Sequence, residues 1–169
     1  RTMVLNGVSK AYAMTGWRIG YAAGPQEIIT AMCNIQSQST SNPTSISQVA
    51  AEAALNGDQA CIQPMLTAFR ERHRFVVDAL NAIPGVRCLA AGGAFYAFAD
   101  VRGAITNLHK KQAITEPTDV ALSAYLLEHS GVAVVPGSAF GLDGYLRLSF
   151  ATSMQNLQQA LGRMAKALV

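Results

Sequence analysis

Apolar positions along the chain change their spacing several times, and each change predicts an element. Met3-Val4-Leu5 predicts a short buried strand, closed by the turn-prone pair Asn6-Gly7. Arg18 to Ala23 predicts a second short strand, stopped by Gly24-Pro25. From Gln26 onward Ile28, Ile29, Met32 and Ile35 recur at helical spacing. The polar run from Ser37 to Ser45 contains Asn42-Pro43 and predicts a loop. Ser45 or Ser47 is placed to cap a helix reaching Leu55, with Asn56-Gly57 as its stop. A long helix is expected from about Asp58 to Ala82, with Ile62, Met65, Leu66, Phe69, Val76, Val77 and Leu80 on its inner side. Pro84-Gly85 ends it.

Beyond this point strands and helices alternate. Val86 to Leu89 and Ala94 to Val101 predict strands around the turn Gly92-Gly93. An irregular stretch is expected up to Pro117, with Lys110-Lys111 as solvated charge. Thr118 to Ser130 predicts a helix followed by Gly131, then a strand Val132 to Val135 and a loop opened by Pro136-Gly137. Tyr145 to Phe150 predicts a strand, and Met154 to Leu168 an amphipathic closing helix. The fold class read from this order is α/β, with a small layered unit from about residue 58 onward. No internal repeat or low-complexity segment interrupts it.

Composition narrows the function classes. The 169 residues are half hydrophobic, enough for a real core in one domain or two small ones. No apolar run approaches the roughly 20 residues that span a bilayer. A leader with a basic start and a small-residue end is not seen either. Cys33, Cys61 and Cys88 are odd in number and lack CxxC spacing, so they read as small buried hydrophobes in a reducing compartment, with no metal site expected. His73, His109 and His129 share no metal spacing and receive no role. A net charge of +3 is too mild to imply nucleic acid.

The distribution of charge is more telling. Charged residues make up 14% of the chain, against about 25% in a typical soluble domain. From Thr2 to Ala51 the only charges are Lys10, Arg18 and Glu27. Solvated surfaces normally carry both signs. The first third is therefore expected to face other protein or a ligand cavity. The chain starts at Arg1 and runs straight into a strand-like segment, which suggests a piece of a longer polypeptide.

Two of those three charges suggest a chemistry. Lys10 follows the first strand among small and apolar neighbours, with no acidic residue nearby in sequence. Desolvation without a carboxylate favours the neutral, nucleophilic amine that forms Schiff bases. Eight residues later Arg18 sits in an equally uncharged setting. Its planar fork suits a phosphate dianion. A third cation, Arg147, stands in the middle of Gly144-Tyr145-Leu146-Arg147-Leu148-Ser149-Phe150. Alternation puts Leu146, Leu148 and Phe150 on one face and Tyr145, Arg147 and Ser149 on the other. An arginine there needs an anionic partner, either an internal salt bridge or a ligand.

Ser9-Lys10 followed by Ala13-Met14-Thr15-Gly16-Trp17-Arg18-Ile19-Gly20 resembles the pyridoxal-phosphate (PLP) attachment signature of class I, fold-type I aminotransferases. The resemblance implies that Lys10 holds the cofactor as a Schiff base and that Arg18 binds its phosphate. It also implies that Arg147, in a strand similar to the family's R-[IL]-[SC]-[FY] pattern, grips the substrate α-carboxylate. Gly92 to Tyr96 and Val135 to Gly141 resemble segments lining the small-domain side of the cleft. Ser41 to Gln48 resembles the loop that lies near the partner's active site in family dimers. One departure is Gly7, where many relatives carry a serine whose hydroxyl joins the phosphate site.

The resemblance covers the whole chain, but the chain matches only the C-terminal part of the family fold. Residues 1–57 would be the end of the large PLP-binding domain and 58–169 the small C-terminal domain. The acidic residue for the pyridinium nitrogen, the tyrosine and asparagine near the phenolate, the ring-stacking aromatic and the glycine-rich phosphate turn are not in this sequence. What the resemblance implies is amino-group transfer between an amino acid and a 2-oxo acid, in a cytoplasmic homodimer, with neither nucleic acid nor membrane as partner. The variant most resembles bacterial aspartate aminotransferases, hence an aspartate and 2-oxoglutarate pair. The alternatives are a lyase or decarboxylase on the same scaffold, a PLP-fold regulator fused to a DNA-binding module, and a chain that is an inactive fragment by itself.

Overall fold

The structure is a computed structural model that describes residues 2–169. It divides into two compact units, Arg1–Met65 and Leu66–Val169.

In the first unit, β1 (Val4–Gly7) and β2 (Gly20–Ala23) form an antiparallel ribbon, with Val4 opposite Ala23 and Gly7 opposite Gly20. Two helices follow, α1 (Gln26–Ser37) and α2 (Ser45–Asn56). The expectation of a capping serine at Ser45 or Ser47 is corrected. Thr44 is the N-cap of α2, and it contributes its carbonyl to Gln48 N without a side-chain cap bond. Ser47 is buried instead. The expectation that β1 is a buried strand is also corrected: Leu5 is 70% exposed and Val4 is exposed. A two-stranded ribbon has no layer of its own to cover it. Exposed Ile35, Ile46 and Val49 lie in the same charge-poor stretch.

The second unit is a four-stranded antiparallel sheet backed by helices on one face. Its strands are β3 (Arg87–Cys88), β4 (Tyr96–Asp100), β5 (Val135–Pro136) and β6 (Tyr145–Ser149), in the spatial order β3-β4-β6-β5. Its helices are α3 (Ile62–Asn81), whose first turn precedes the unit boundary, α4 (Arg102–Lys110), α5 (Asp119–Ser130) and α6 (Met154–Leu168). Alternate strand residues Ala97, Ala99, Leu146 and Leu148 turn inward with Phe150. Against them pack Val76 and Leu80 of α3, Leu122 and Leu126 of α5, and Leu157, Leu161 and Met164 of α6. The other face carries Tyr96, Phe98, Tyr145 and Arg147, all partly exposed.

Several boundaries follow local chemistry. Thr118 Oγ1 accepts from Ala121 N at 3.1 Å to start α5, and Ser153 Oγ accepts from Asn156 N at 3.1 Å to start α6. Asn81, at the end of α3, donates to Cys88 O at 2.9 Å and accepts from Cys88 N at 2.8 Å, fixing β3. The strand expected from Val132 is shorter, because Val132 N still bonds back to Leu126 O in the α5 terminus.

The irregular stretch expected after Val101 is corrected: α4 occupies it. Gly103 and Asn107 weaken its intrinsic helix preference, but Ala104, Ile105 and Leu108 are buried in the core. The helix starts against the Pro84-Gly85 turn, where Ala104 N donates to Gly85 O at 3.0 Å. Gly85 has φ +81°, and a Cβ on Gly103 would stand 2.7 Å from Gly85 Cα. Two backbones meet there with no room for a side chain. The cysteine expectation is corrected in part: Cys88 is buried, while Cys33 and Cys61 are exposed thiols. No helix among the described residues is long and apolar enough to cross a membrane.

Gly103→Ala is therefore expected to lower stability by about 1–3 kcal/mol through overpacking. Gly162→Ala, in α6 where a Cβ meets nothing within 4 Å, should raise it by about 0.5–1 kcal/mol. Urea midpoints of the two variants check the opposite signs. A second expectation concerns Asp100, whose carboxylate accepts from Arg102 Nε at 3.0 Å, Nη2 at 2.5 Å and backbone N at 3.1 Å. The Arg102 hydrogen bond holds this carboxyl below the usual carboxylate range. A depressed folded value means that its contribution is present above about 4, the unfolded value, and is lost as pH falls toward the folded one. Asp100→Asn should flatten the acid side of a plot of unfolding midpoint against pH, and only slightly, since Arg102 is largely exposed.

Candidate active site

Lys10 and Arg18 both lie on the segment that joins β1 to β2. Val8, 1% exposed, pins the start of this segment. Its turns are closed by Tyr12 N to Val8 O at 3.3 Å, Met14 N to Ser9 O at 3.0 Å and Trp17 N to Met14 O at 3.2 Å. Tyr12 Oη donates to Gln59 Oε1 at 2.7 Å, and Gln59 Nε2 donates to Gly57 O at 2.7 Å, so the turn is tied to the end of α2. Lys10 extends from this braced backbone and is exposed. That corrects the expected desolvation: the adjoining ribbon is itself uncovered by the described residues.

Arg18 ends a 3₁₀ turn over Thr15–Trp17 in the left-handed conformation, φ 50° and ψ 48°. A non-glycine residue there costs of order 1 kcal/mol, and such strain gathers at functional sites. Its Nη1 donates to Thr15 O at 3.0 Å. The rest of the fork has no protein partner among the described residues, so it can meet a phosphate. Gly7 is not imposed by packing, since a Cβ there would make ordinary contacts at 3.4 Å.

Arg147 belongs to the second unit, at the centre of β6 on the sheet's outer face. Phe98 of β4 and Val135 of β5 stand directly opposite it in the two ladders. The predicted alternation holds: Leu146, Leu148 and Phe150 are buried, and Arg147 is only partly so. Of the two partners that the strand pattern left open, the internal salt bridge is excluded, because the one ion pair among the described residues joins Arg102 to Asp100. Instead, the guanidinium carbon lies 4.4 Å from the ring centre of Tyr96 and 4.4 Å from that of Phe140. Among the described residues the guanidinium donates no hydrogen bond to protein, and no buried side-chain nitrogen or oxygen lacks a partner. Its N–H edge is thus open to a ligand.

Sequence reasoning missed three supporting groups. Asp119 is buried at the start of α5, where its Oδ2 accepts from Ser138 N at 2.6 Å and its Oδ1 from Val120 N at 3.1 Å. It fixes the Gly137–Phe140 turn. Gly137 adjoins that bond, and a Cβ there would collide with Leu142 O and Tyr145 Cβ. His73, given no role from sequence, accepts from Ala91 N at 3.2 Å and lies against Phe150, its ring centre 5.6 Å away. It holds the turn that precedes Tyr96. Of these, only Gly137 lies in a segment that the sequence reading singles out. Burial pushes the Cys88 thiol up, which lowers its thiolate content and its use as a nucleophile.

Residues 1–164 match the family model described as aminotransferase class I and II. The chain belongs to that family. Within the aminotransferases, it is 66% identical over 168 residues to an aspartate/prephenate aminotransferase of Nitrosomonas europaea, covering 99% of this chain and 42% of that protein. It is 54% identical over 170 residues to an aspartate aminotransferase of Rhizobium meliloti, covering 99% of this chain and 40% of the other. A crystal structure of the aspartate aminotransferase from Rhizobium meliloti superimposes with a TM-score of 0.91 at 50% identity, over 99% of this chain and 42% of that one. The α/β architecture is therefore part of the aspartate aminotransferase fold. The chain spans about two-fifths of the length of these aminotransferases.

Removing the Asp119 carboxylate would leave the partly buried Ser138 N–H without this acceptor. Asp119→Ala is expected to cost about 1–3 kcal/mol, and Asp119→Asn, which keeps an acceptor, less. Thermal unfolding of the two variants gives the order, and tyrosine and phenylalanine ring signals in NMR report the loosened turn.

Proposed function

We propose that the complete protein carrying this chain transfers an amino group between an amino acid and a 2-oxo acid, with aspartate and 2-oxoglutarate as the preferred pair. The observation that carries this reading is Arg147: a sheet arginine with ring neighbours, no carboxylate and an open donor edge fits a bidentate carboxylate ligand. The names of the relatives support the same reaction class and the aspartate preference.

The cofactor this family implies is pyridoxal 5'-phosphate, which supplies an electron sink for the labile Cα bond. The residues present fit it. Arg18 has donors to spare for a phosphate dianion, next to a strained backbone that aims its fork. Lys10 places a primary amine on a braced turn, the group that would condense with an aldehyde. With the cofactor and substrate in place, the Lys10 Nζ would be the group that takes the substrate Cα proton and returns it. Arg147 holds the α-carboxylate and so fixes which Cα bond is presented. Ring-nitrogen and phenolate partners would come from outside this chain, so the isolated chain is expected to be inactive.

On the same reading, residues 1–57 are the end of the large cofactor-binding domain and residues 58–169 the small domain. The working form is a cytoplasmic homodimer whose second subunit covers the apolar, charge-poor residues of α1 and α2. Lys10→Ala in the complete protein should cut amino transfer by at least about 10²-fold and abolish borohydride-fixed labelling by pyridoxal phosphate at this position. Undiminished transfer in that variant would overturn the reading, and product analysis of the unaltered protein separates transfer from lyase or decarboxylase chemistry.

A further inference from the structure

Arg147 is held in an unusual way for a cation on a sheet. Long arginine side chains sample many rotamers, and fixing one on binding costs entropy unless the protein has fixed it already. The usual device is a carboxylate neighbour. Such a neighbour would occupy the N–H edge and compete with an incoming anion. Here the neighbours are aromatic. Tyr96 comes from β4, two residues along from Phe98 opposite Arg147, and Phe140 from the turn before β6. Each ring centre lies 4.4 Å from the guanidinium carbon, well inside cation–π range. A ring attracts the charge through its face and accepts none of the N–H bonds in the guanidinium plane.

The rings are themselves braced. Phe140 stands edge-on to Phe98, with centres 6.3 Å apart, and Phe98 stacks on Tyr145 at 5.2 Å. Asp119 holds the backbone of the Phe140 turn through Ser138 N. Tyr96 packs on Phe95 at 4.4 Å, and Phe95 O accepts from Phe150 N at 2.9 Å. Phe140 is 49% exposed, so filling the core is not what keeps a large aromatic at this position.

We propose that Tyr96 and Phe140 are positioning residues for Arg147. They fix the guanidinium with its donor edge unspent, so that it meets the substrate carboxylate already oriented. This rests on the reading of Arg147 as the carboxylate arginine, and the test separates the two.

In the complete enzyme carrying this chain, Tyr96→Leu, Phe140→Leu and Arg147→Ala are compared, singly and combined, by KM for aspartate, kcat, and the inhibition constant of the unreactive dicarboxylate maleate. Each leucine variant should raise KM and the inhibition constant about fivefold while kcat stays within about twofold. Tyr96→Phe, which keeps the ring, should restore the values that Tyr96→Leu loses. In the Arg147→Ala background the leucine substitutions should add nothing. If Arg147→Ala weakens maleate and the leucine variants leave it unchanged, the positioning role is wrong and the carboxylate role stands. If Arg147→Ala leaves maleate binding unchanged, the underlying reading falls and takes this one with it. Should Tyr96→Leu fail to fold, Phe140→Leu decides alone, because its ring is half in solvent.

Discussion

A positive charge on a sheet face must be answered by something, and Arg147 is answered by two aromatic rings. That arrangement constrains much of the second unit. The ring of Tyr96 requires β4 to lie beside β6 in the observed register. The ring of Phe140 requires the short turn before β6 to be seated, which the Asp119 carboxylate accomplishes from the start of α5. Behind the sheet, the inward residues of the same two strands close the core against α3, α5 and α6. One strand therefore serves two purposes through its alternation: leucines and Phe150 hold the layers together, and the residues between them form the outer face on which the proposed carboxylate site rests.

The first unit has a different character. Its ribbon and two helices expose Leu5, Ile35, Ile46 and Val49 in a stretch whose only charges are Lys10, Arg18 and Glu27. Exposed apolar surface without charge marks a contact face. In the proposed function, that face and the cofactor segment belong together. Lys10 and Arg18 sit on a turn braced by its own backbone and by the Tyr12–Gln59 bond, and in that proposal the covering layer would come from protein beyond this chain.

Legibility varied with the range of the interactions. Helices α1, α2, α5 and α6 could be read because apolar spacing and flanking Thr, Ser, Gly and Pro are local signals. Helix α4 was not, since Gly103 and Asn107 speak against it and only burial of Ala104, Ile105 and Leu108 outweighs them. The strand expected from Val132 to Val135 was curtailed by a backbone bond to the preceding helix, which residue types do not announce. Dryness at Lys10 was inferred from its neighbours' character, yet burial depends on what covers them. In this chain nothing described does.

By itself, the sequence determined the dense Ser9-to-Gly20 signature, the alternation that puts Arg147 opposite the core face, and the shortage of charge in the first third. These depend on residues adjacent in the chain, where spacing alone specifies which face or turn they share. Only the tertiary structure decided that Arg147 has rings and no carboxylate for company. Tyr96, Asp119 and Phe140 converge around Arg147 from separate elements, brought together by antiparallel pairing and the Ser138–Asp119 hydrogen bond. No local pattern carries that information, because the energy that selects it comes from packing between distant segments.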